Sequence, residues 1–167
     1  QHEFLFILNP YNNGLYRYNF NDRENPKIAR FPLEGPRGVG KLTGFYVHNI
    51  DSIFLLSNGS YQVSLMTSLY SDKERTLRKY RLITTEIDEN TAKPLGYTGN
   101  QLKYIDGKLY LLGMPDIEAT DVNYFQKAKN LQVLNLGDST VKGYNLYTSE
   151  YDNEIWPIPF RFYYHDL

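Results

Sequence analysis

Short apolar runs, separated by clusters of Asn, Asp, Gly and Pro, make up most of this chain, and pieces of one stretch return elsewhere. That stretch runs from Phe45 to Ser57. Its second half, Ile53-Phe54-Leu55-Leu56-Ser57, matches Leu5-Phe6-Ile7-Leu8-Asn9 upstream and Leu109-Tyr110-Leu111-Leu112-Gly113 downstream. Its first half, Phe45-Tyr46-Val47-His48-Asn49-Ile50, returns at the end as Phe162-Tyr163-Tyr164-His165-Asp166-Leu167. A spacing of about fifty residues, with several short strands per unit, is the sequence pattern of propeller blades.

The pattern predicts the elements of each unit. In the first, Glu3 to Leu8 reads as a strand, Asn9-Pro10-Tyr11-Asn12-Asn13-Gly14 as a hairpin turn, and Leu15 to Phe20 and Lys27 to Phe31 as two further strands. In the second, Phe45 to Asn49, Ile53 to Ser57, Tyr61 to Met66 and Arg78 to Ile83 give four strands, the number in an antiparallel blade. The third repeats the order with Leu102 to Ile105, Leu109 to Leu112, Leu131 to Leu136 and Lys142 to Tyr147. Tyr61-Gln62-Val63 is set against Leu131-Gln132-Val133, and Lys27, Arg78 and Lys142 each open the last strand of their unit. The expected blade units are about 3–41, 42–99 and 100–158, with the start of a further blade at 159–167. Propellers have about 4 to 8 blades, so the expected fold class is an all-β propeller segment and not a closed ring.

One insertion breaks the repeat. Between the second and third strands of the third unit lie Met114 to Asn130, where Thr120 to Lys129 has the composition of a short helix capped by Thr120 or Asp121. A decorated loop is preferred to a ligand-contacting lid.

Composition sharpens the class and removes several chemistries. An aromatic fraction of 16% favours strands. A net charge of -1, with both signs interspersed, leaves no electrostatic footprint for nucleic acid, and no apolar run reaches the length of a membrane-spanning helix. The absence of cysteine removes disulfides, thiolate metal sites and cysteine nucleophiles without fixing the compartment. With no initiator Met and no signal peptide at Gln1, the chain reads as processed or excised from something longer.

Several motifs invite a chemical reading. Gly35-Pro36-Arg37-Gly38-Val39-Gly40-Lys41-Leu42 has phosphate-loop spacing up to its lysine, but Leu42 replaces the hydroxyl residue and a strand follows where a helix is needed. A glycine-rich crossing between blades is the better reading, and Lys41 is expected to do no phosphate chemistry. Gly38-Val39-Gly40 likewise lacks the third glycine of a dinucleotide fingerprint. Asp116, Glu118 and Asp121 lack the spacing of a calcium loop. Asn58-Gly59-Ser60 is a glycosylation sequon but first of all a hairpin turn, and no serine sits in a nucleophile elbow. The aromatic run Ile155 to Tyr164 is read as strand core and a proline-bounded crossing in preference to a sugar-stacking surface.

If Phe45 to Asn49, Leu102 to Ile105 and Phe162 to Asp166 are innermost strands, their ends bring His48, Asn49, Asp51, Asp106, His165 and Asp166 to one mouth of a central channel. His2 stands apart from this set. Two histidines with carboxylates also suit a metal, but residues that recur by register are more often hydrogen-bonding groups at strand ends. A metal-free polar funnel, with no cofactor, is the expectation.

Finally, Phe31-Pro32-Leu33-Glu34-Gly35-Pro36-Arg37-Gly38-Val39-Gly40 followed by Gly44 to Phe54 resembles the TolB-like or NHL-like six-bladed propeller lipoproteins of unknown function. The resemblance is most specific over residues 31–57. It implies a propeller fold and an extracytoplasmic place, in the periplasm or at the cell surface. It carries over no catalytic residue, and the lipobox cysteine of such a lipoprotein is absent, as in a trimmed N-terminus. The expected function is a binding or protein-interaction module for an unknown protein or small polar ligand, the remaining blades coming from the parent chain or another copy. A lactonase-type hydrolase with a metal at the axial mouth and a scaffold without ligand are the alternatives.

Overall fold

The computed structural model describes residues 3–21, 25–50, 52–57, 61–67, 69–70, 76–82, 93–94, 102–114, 117, 121 and 123–147. The chain divides into two compact units, Gln1–Tyr80 with Gly96–Gly99, and Arg81–Leu95 with Asn100–Leu167. The described residues are all-β apart from one helical turn, and they form three antiparallel sheets. Among them no helix is long and apolar enough to cross a membrane.

In the first unit, β1 (Phe4–Asn9), β2 (Gly14–Asn19) and β3 (Lys27–Arg30) form a meander in the order β1-β2-β3. Its register pairs Leu8 with Leu15 and Leu15 with Ala29, so these side chains share one face. The second sheet contains β4 (Leu42–Asn49), β5 (Ser52–Ser57), β6 (Gln62–Thr67) and β7 (Leu77–Arg81), in the order β4-β5-β6-β7. The seven strands expected over these two sheets are present among the described residues, within a few residues of their expected ends. The core of this unit joins Leu15 and Ala29 of the first sheet to Ile53, Leu55 and Met66 of the second, with Phe6 and Leu8 packed against them. The Tyr70 hydroxyl adds a hydrogen bond of 3.0 Å to the Leu15 carbonyl.

Asn13 ties the two sheets at their crossing. Its Nδ2 donates to the carbonyls of Phe31 (3.1 Å) and Gly40 (2.9 Å), while its Oδ1 accepts the Leu42 N–H at 2.8 Å. The residue sits at φ 51, a left-handed conformation that Asn tolerates better than most side chains.

The second unit holds β8 (Lys93–Pro94), β9 (Leu102–Ile105), β10 (Lys108–Met114), α1 (Tyr124–Lys127), β11 (Leu131–Asn135) and β12 (Val141–Tyr144). Strands β10, β11 and β12 are successive neighbours, and β9 pairs with the first part of β10. The two-residue β8 continues that same side of β10, opposite Gly113 and Met114. Sequence reasoning did not anticipate β8. Leu102, Leu109, Leu111 and Leu134 are buried on one face of this sheet.

Two expectations need correction. Gln62 and Gln132 are not equivalent, because Leu55 pairs with Ser64 while its repeat counterpart Leu111 pairs with Gln132. The slip is two residues, which keeps every side chain on its face and so leaves the apolar pattern unchanged. The helix expected over Thr120 to Lys129 is only the single turn of α1, with Asn123 at its N-cap and no side-chain cap bond; Thr120 lies outside the described residues. One turn is too short to hold itself together. Here Phe125 packs edge-on against Tyr147 at 4.9 Å, and Asn145 Nδ2 donates to the carbonyls of Phe125 and Gln126 at 2.8 and 3.1 Å. The chain then leaves the helix at Ala128, which is extended and leads towards β11.

Candidate functional site

Of the six residues expected to line a common mouth, three fall among the described residues. His48 and Asn49 end β4 in the first unit, and Asp106 follows β9 in the second. Asp51, His165 and Asp166 lie outside the described residues, as do His2, the sequon Asn58-Gly59-Ser60, Asp116, Glu118 and the aromatic run from Ile155 to Tyr164.

His48 owes its position to a break in the ladder. Val47 pairs with Ile53 and Asn49 with Ser52, leaving His48 as the extra residue of a β-bulge. Bulges re-aim a side chain out of the regular alternation. The imidazole is exposed and stands edge-on to the Phe54 ring, with centroids 6.5 Å apart. Asn49, also exposed, closes the ladder beside it. A second irregularity in the same strand falls at Thr43, whose hydroxyl is buried and has no hydrogen-bond partner.

Asp106 occupies the corresponding hairpin of the third sheet. Ile105 pairs with Lys108, so Asp106 and Gly107 form the two-residue connection, at φ 46 and φ 77. Two successive positive φ values define a type I′ turn, for which Asp-Gly is a preferred pair. Gly107 also accepts the Leu136 N–H at 3.0 Å, which fastens the turn to the chain leaving β11. Turn geometry alone therefore accounts for Asp at position 106.

The phosphate-loop resemblance fails in the structure for a reason beyond its sequence. The N–H groups of Gly38, Val39 and Gly40 donate to the carbonyls of Gly35, Pro32 and Leu33, at 2.9, 3.0 and 3.1 Å. Donors needed for a phosphate are already engaged within the loop. A Cβ at position 38 would lie 2.5 Å from the Glu34 carbonyl carbon, so glycine is required there by close packing. After Lys41 the chain enters β4, as expected for a crossing between sheets.

Asp121 is occupied with local structure. Its Oδ1 accepts the Asn123 N–H at 2.7 Å and its Oδ2 meets Lys127 Nζ at 3.2 Å, and these bonds hold its carboxyl below the ordinary range. The backbone and hydroxyl of Thr140 do the same for Asp138. Burial pushes the Tyr80 phenol up, with Arg78 opposing. Among the described residues no three His, Cys, Asp or Glu side chains gather as a metal site.

Sequence reasoning missed the buried amides. Gln132 is buried in the third sheet, where its Nε2 reaches the Leu82 carbonyl at 3.4 Å and its Oε1 has no hydrogen-bond partner. Its counterpart Ser64 is also buried and accepts from Gln62 Nε2 at 3.0 Å. A polar residue inside an apolar alternation was the available signal.

The chain belongs to the family described as Domain of unknown function (DUF4221), whose profile matches residues 1–155. No curated protein and no solved structure gives a significant match.

Proposed function

We propose that this DUF4221 chain is part of a six-bladed β-propeller of the TolB-like or NHL-like kind, acting as a binding or interaction module in a secreted or surface lipoprotein. The observation that carries this reading is repetition. In the second and third sheets a first strand, β4 or β9, enters its neighbour through a two-residue connection and then continues as a meander. Blades built this way bring equivalent connections from separate sheets to one end of a channel, where polar groups converge. His48 and Asn49 end β4 just before one such connection and Asp106 lies in the other, while by sequence Asp51 falls in the first and His165 and Asp166 in the next repeat. The ligand-facing surface is then a polar funnel whose occupant is a protein or a small polar molecule.

A lactonase-type hydrolase is the second reading, favoured by one observation: an exposed His48 turned out of register by a bulge. Bulges of this sort occur next to active sites. Thermal unfolding of the protein with and without EDTA separates the two. The binding module predicts an unchanged Tm, because removing a bound metal lowers Tm by mass action only where one is bound. A large chelator-dependent drop that disappears in the His48→Ala, His165→Ala double variant would reject the metal-free funnel and favour the hydrolase.

A further inference from the structure

Asn-Gly is the dipeptide in which a backbone most readily attacks its own side chain, because glycine leaves its nitrogen unshielded and lets the chain turn freely. The sequence holds two such pairs, Asn13-Gly14 and Asn58-Gly59. The first lies at the crossing where Asn13 ties the first sheet to the second, and both of its residues are buried.

Cyclisation needs both partners to move. The Gly14 nitrogen must swing onto Cγ of Asn13, which depends on the Asn13 side-chain torsions and on the peptide plane between the two residues. The fold holds both. Nδ2 and Oδ1 of Asn13 are engaged with Phe31, Gly40 and Leu42, and the Asn13 backbone carbonyl accepts the Phe31 N–H at 3.1 Å. Gly14 is paired on both sides, opposite Asn9 of β1 and Arg30 of β3. Attack therefore requires four hydrogen bonds and the local register of three strands to give way together.

We propose that Asn13-Gly14 is a modification site that the fold closes and unfolding opens: in a chain that loses this crossing Asn13 deamidates, and the converted chain does not regain the native fold. The Gly14 nitrogen gives up its proton and bonds to Asn13 Cγ, while the Cγ–Nδ2 bond breaks and the nitrogen leaves as ammonia. Water then opens the resulting succinimide at either carbonyl, yielding Asp or isoaspartate at position 13. Neither product suits the crossing. Asp sets an oxygen, in place of Nδ2, against the carbonyls of Phe31 and Gly40, in a buried position where an unpaired carboxylate is costly. Isoaspartate runs the main chain through the former side chain, adding a methylene at a residue held at φ 51 and displacing the acceptor of the Leu42 N–H. Asn13 thus acts as a timer on the unfolded state, turning a reversible opening into a permanent one. The groups that close the site are all among the described residues, and the inference stands whether or not the hairpin residues bind a ligand.

Peptide mapping by mass spectrometry tests it, on wild-type protein held in mildly alkaline buffer with and without denaturing urea. In urea Asn13 and Asn58 should convert at similar rates, so that Asn58 serves as an internal clock for the chemistry. Without urea Asn13 should convert about 100-fold more slowly or less, since only the opened population reacts. After dilution from urea, the folded fraction collected by size exclusion should be depleted of chains converted at Asn13 relative to the misfolded remainder. Gly14→Ala checks the cause: its Cβ shields the nitrogen and meets only the exposed Asn12 Oδ1 closely, at 2.8 Å. This variant should keep its refolding yield through an incubation in urea that exhausts the wild type's. Conversion of Asn13 in buffer at the rate seen in urea overturns the proposal, and so does an Asn13 that stays intact in urea. A folded fraction as rich in converted Asn13 as the remainder overturns it too, whatever the fate of the Gly14→Ala variant.

Discussion

Replacing Asn13 by Ala removes three hydrogen bonds at once. The most costly loss is the acceptor of the Leu42 N–H, because Leu42 is 0% exposed and its backbone has no route to water. A buried donor left without a partner costs about 1–3 kcal/mol. The carbonyls of Phe31 and Gly40 lose less, since an under-satisfied carbonyl is tolerated better than an orphaned N–H. Alanine at φ 51 adds about 1 kcal/mol of backbone strain. The expected destabilisation is about 3–4 kcal/mol, a large share of a stability of about 5–15 kcal/mol. Urea unfolding should show this as a lower midpoint at unchanged slope. Asn13→Gly separates the causes: it loses the same hydrogen bonds but accepts the positive φ, so it should be about 1 kcal/mol milder than Ala. Asn13→Asp keeps the acceptor for Leu42 but turns oxygen towards two carbonyls. It should be unstable at neutral pH and recover in part as acid restores a proton to donate. An Asn13→Ala protein within about 0.5 kcal/mol of wild type would refute the reasoning, since surface-like tolerance would mean that the three bonds are replaced by water.

Asp106→Asn should leave stability within about 0.5 kcal/mol of wild type, because Asn serves a type I′ turn as Asp does, whereas Gly107→Ala should cost about 1 kcal/mol; a large loss in the first variant would show a role beyond the turn. Titration with ATP and magnesium should give no saturable binding that depends on Lys41, the loop donors being engaged internally. Asp121 has a folded pKa below its unfolded value, so what it contributes is present above the ordinary carboxylate range and is lost as pH falls through the folded pKa. The amide resonance of Asn123 should therefore titrate with a midpoint below that of an unperturbed Asp, and a midpoint at or above it would show that the cap bond does not persist in solution.

The strands were legible because apolar runs and turn residues alternate at the length of a strand, whereas Asp106 was read only as a strand-end residue and its Asp-Gly turn came from the structure. Features that depend on distant partners were not legible. Asn13 reads as one more turn residue, and only its bonds to residues 18, 27 and 29 positions away give it a structural task. The pairing of Gln132 was misread by two residues, a shift to which facial alternation is blind. β8 escaped notice because two residues carry no periodicity, and a proline there reads against a strand unless the position is an edge.

The same distinction bears on the candidate site. Asp106 entered the site by its sequence character, but its conformation gives it a sufficient reason to be where it is. His48 is the reverse case. No turn geometry requires histidine on a bulge, and the repeat counterpart strand β9 pairs with β10 from Leu102 through Ile105 without a register shift. The extra residue in β4 lengthens one strand against its partner and leaves an exposed imidazole one residue from the strand's end. A device that merely ended the strand would not need a titratable ring, and the contact with Phe54 holds that ring edge-on without burying it. Of the described residues in the proposed funnel, His48 is thus the one whose replacement best separates function from fold. His48→Ala should leave the β4–β5 ladder intact while removing the side chain that distinguishes this connection from the Asp-Gly turn of the third sheet.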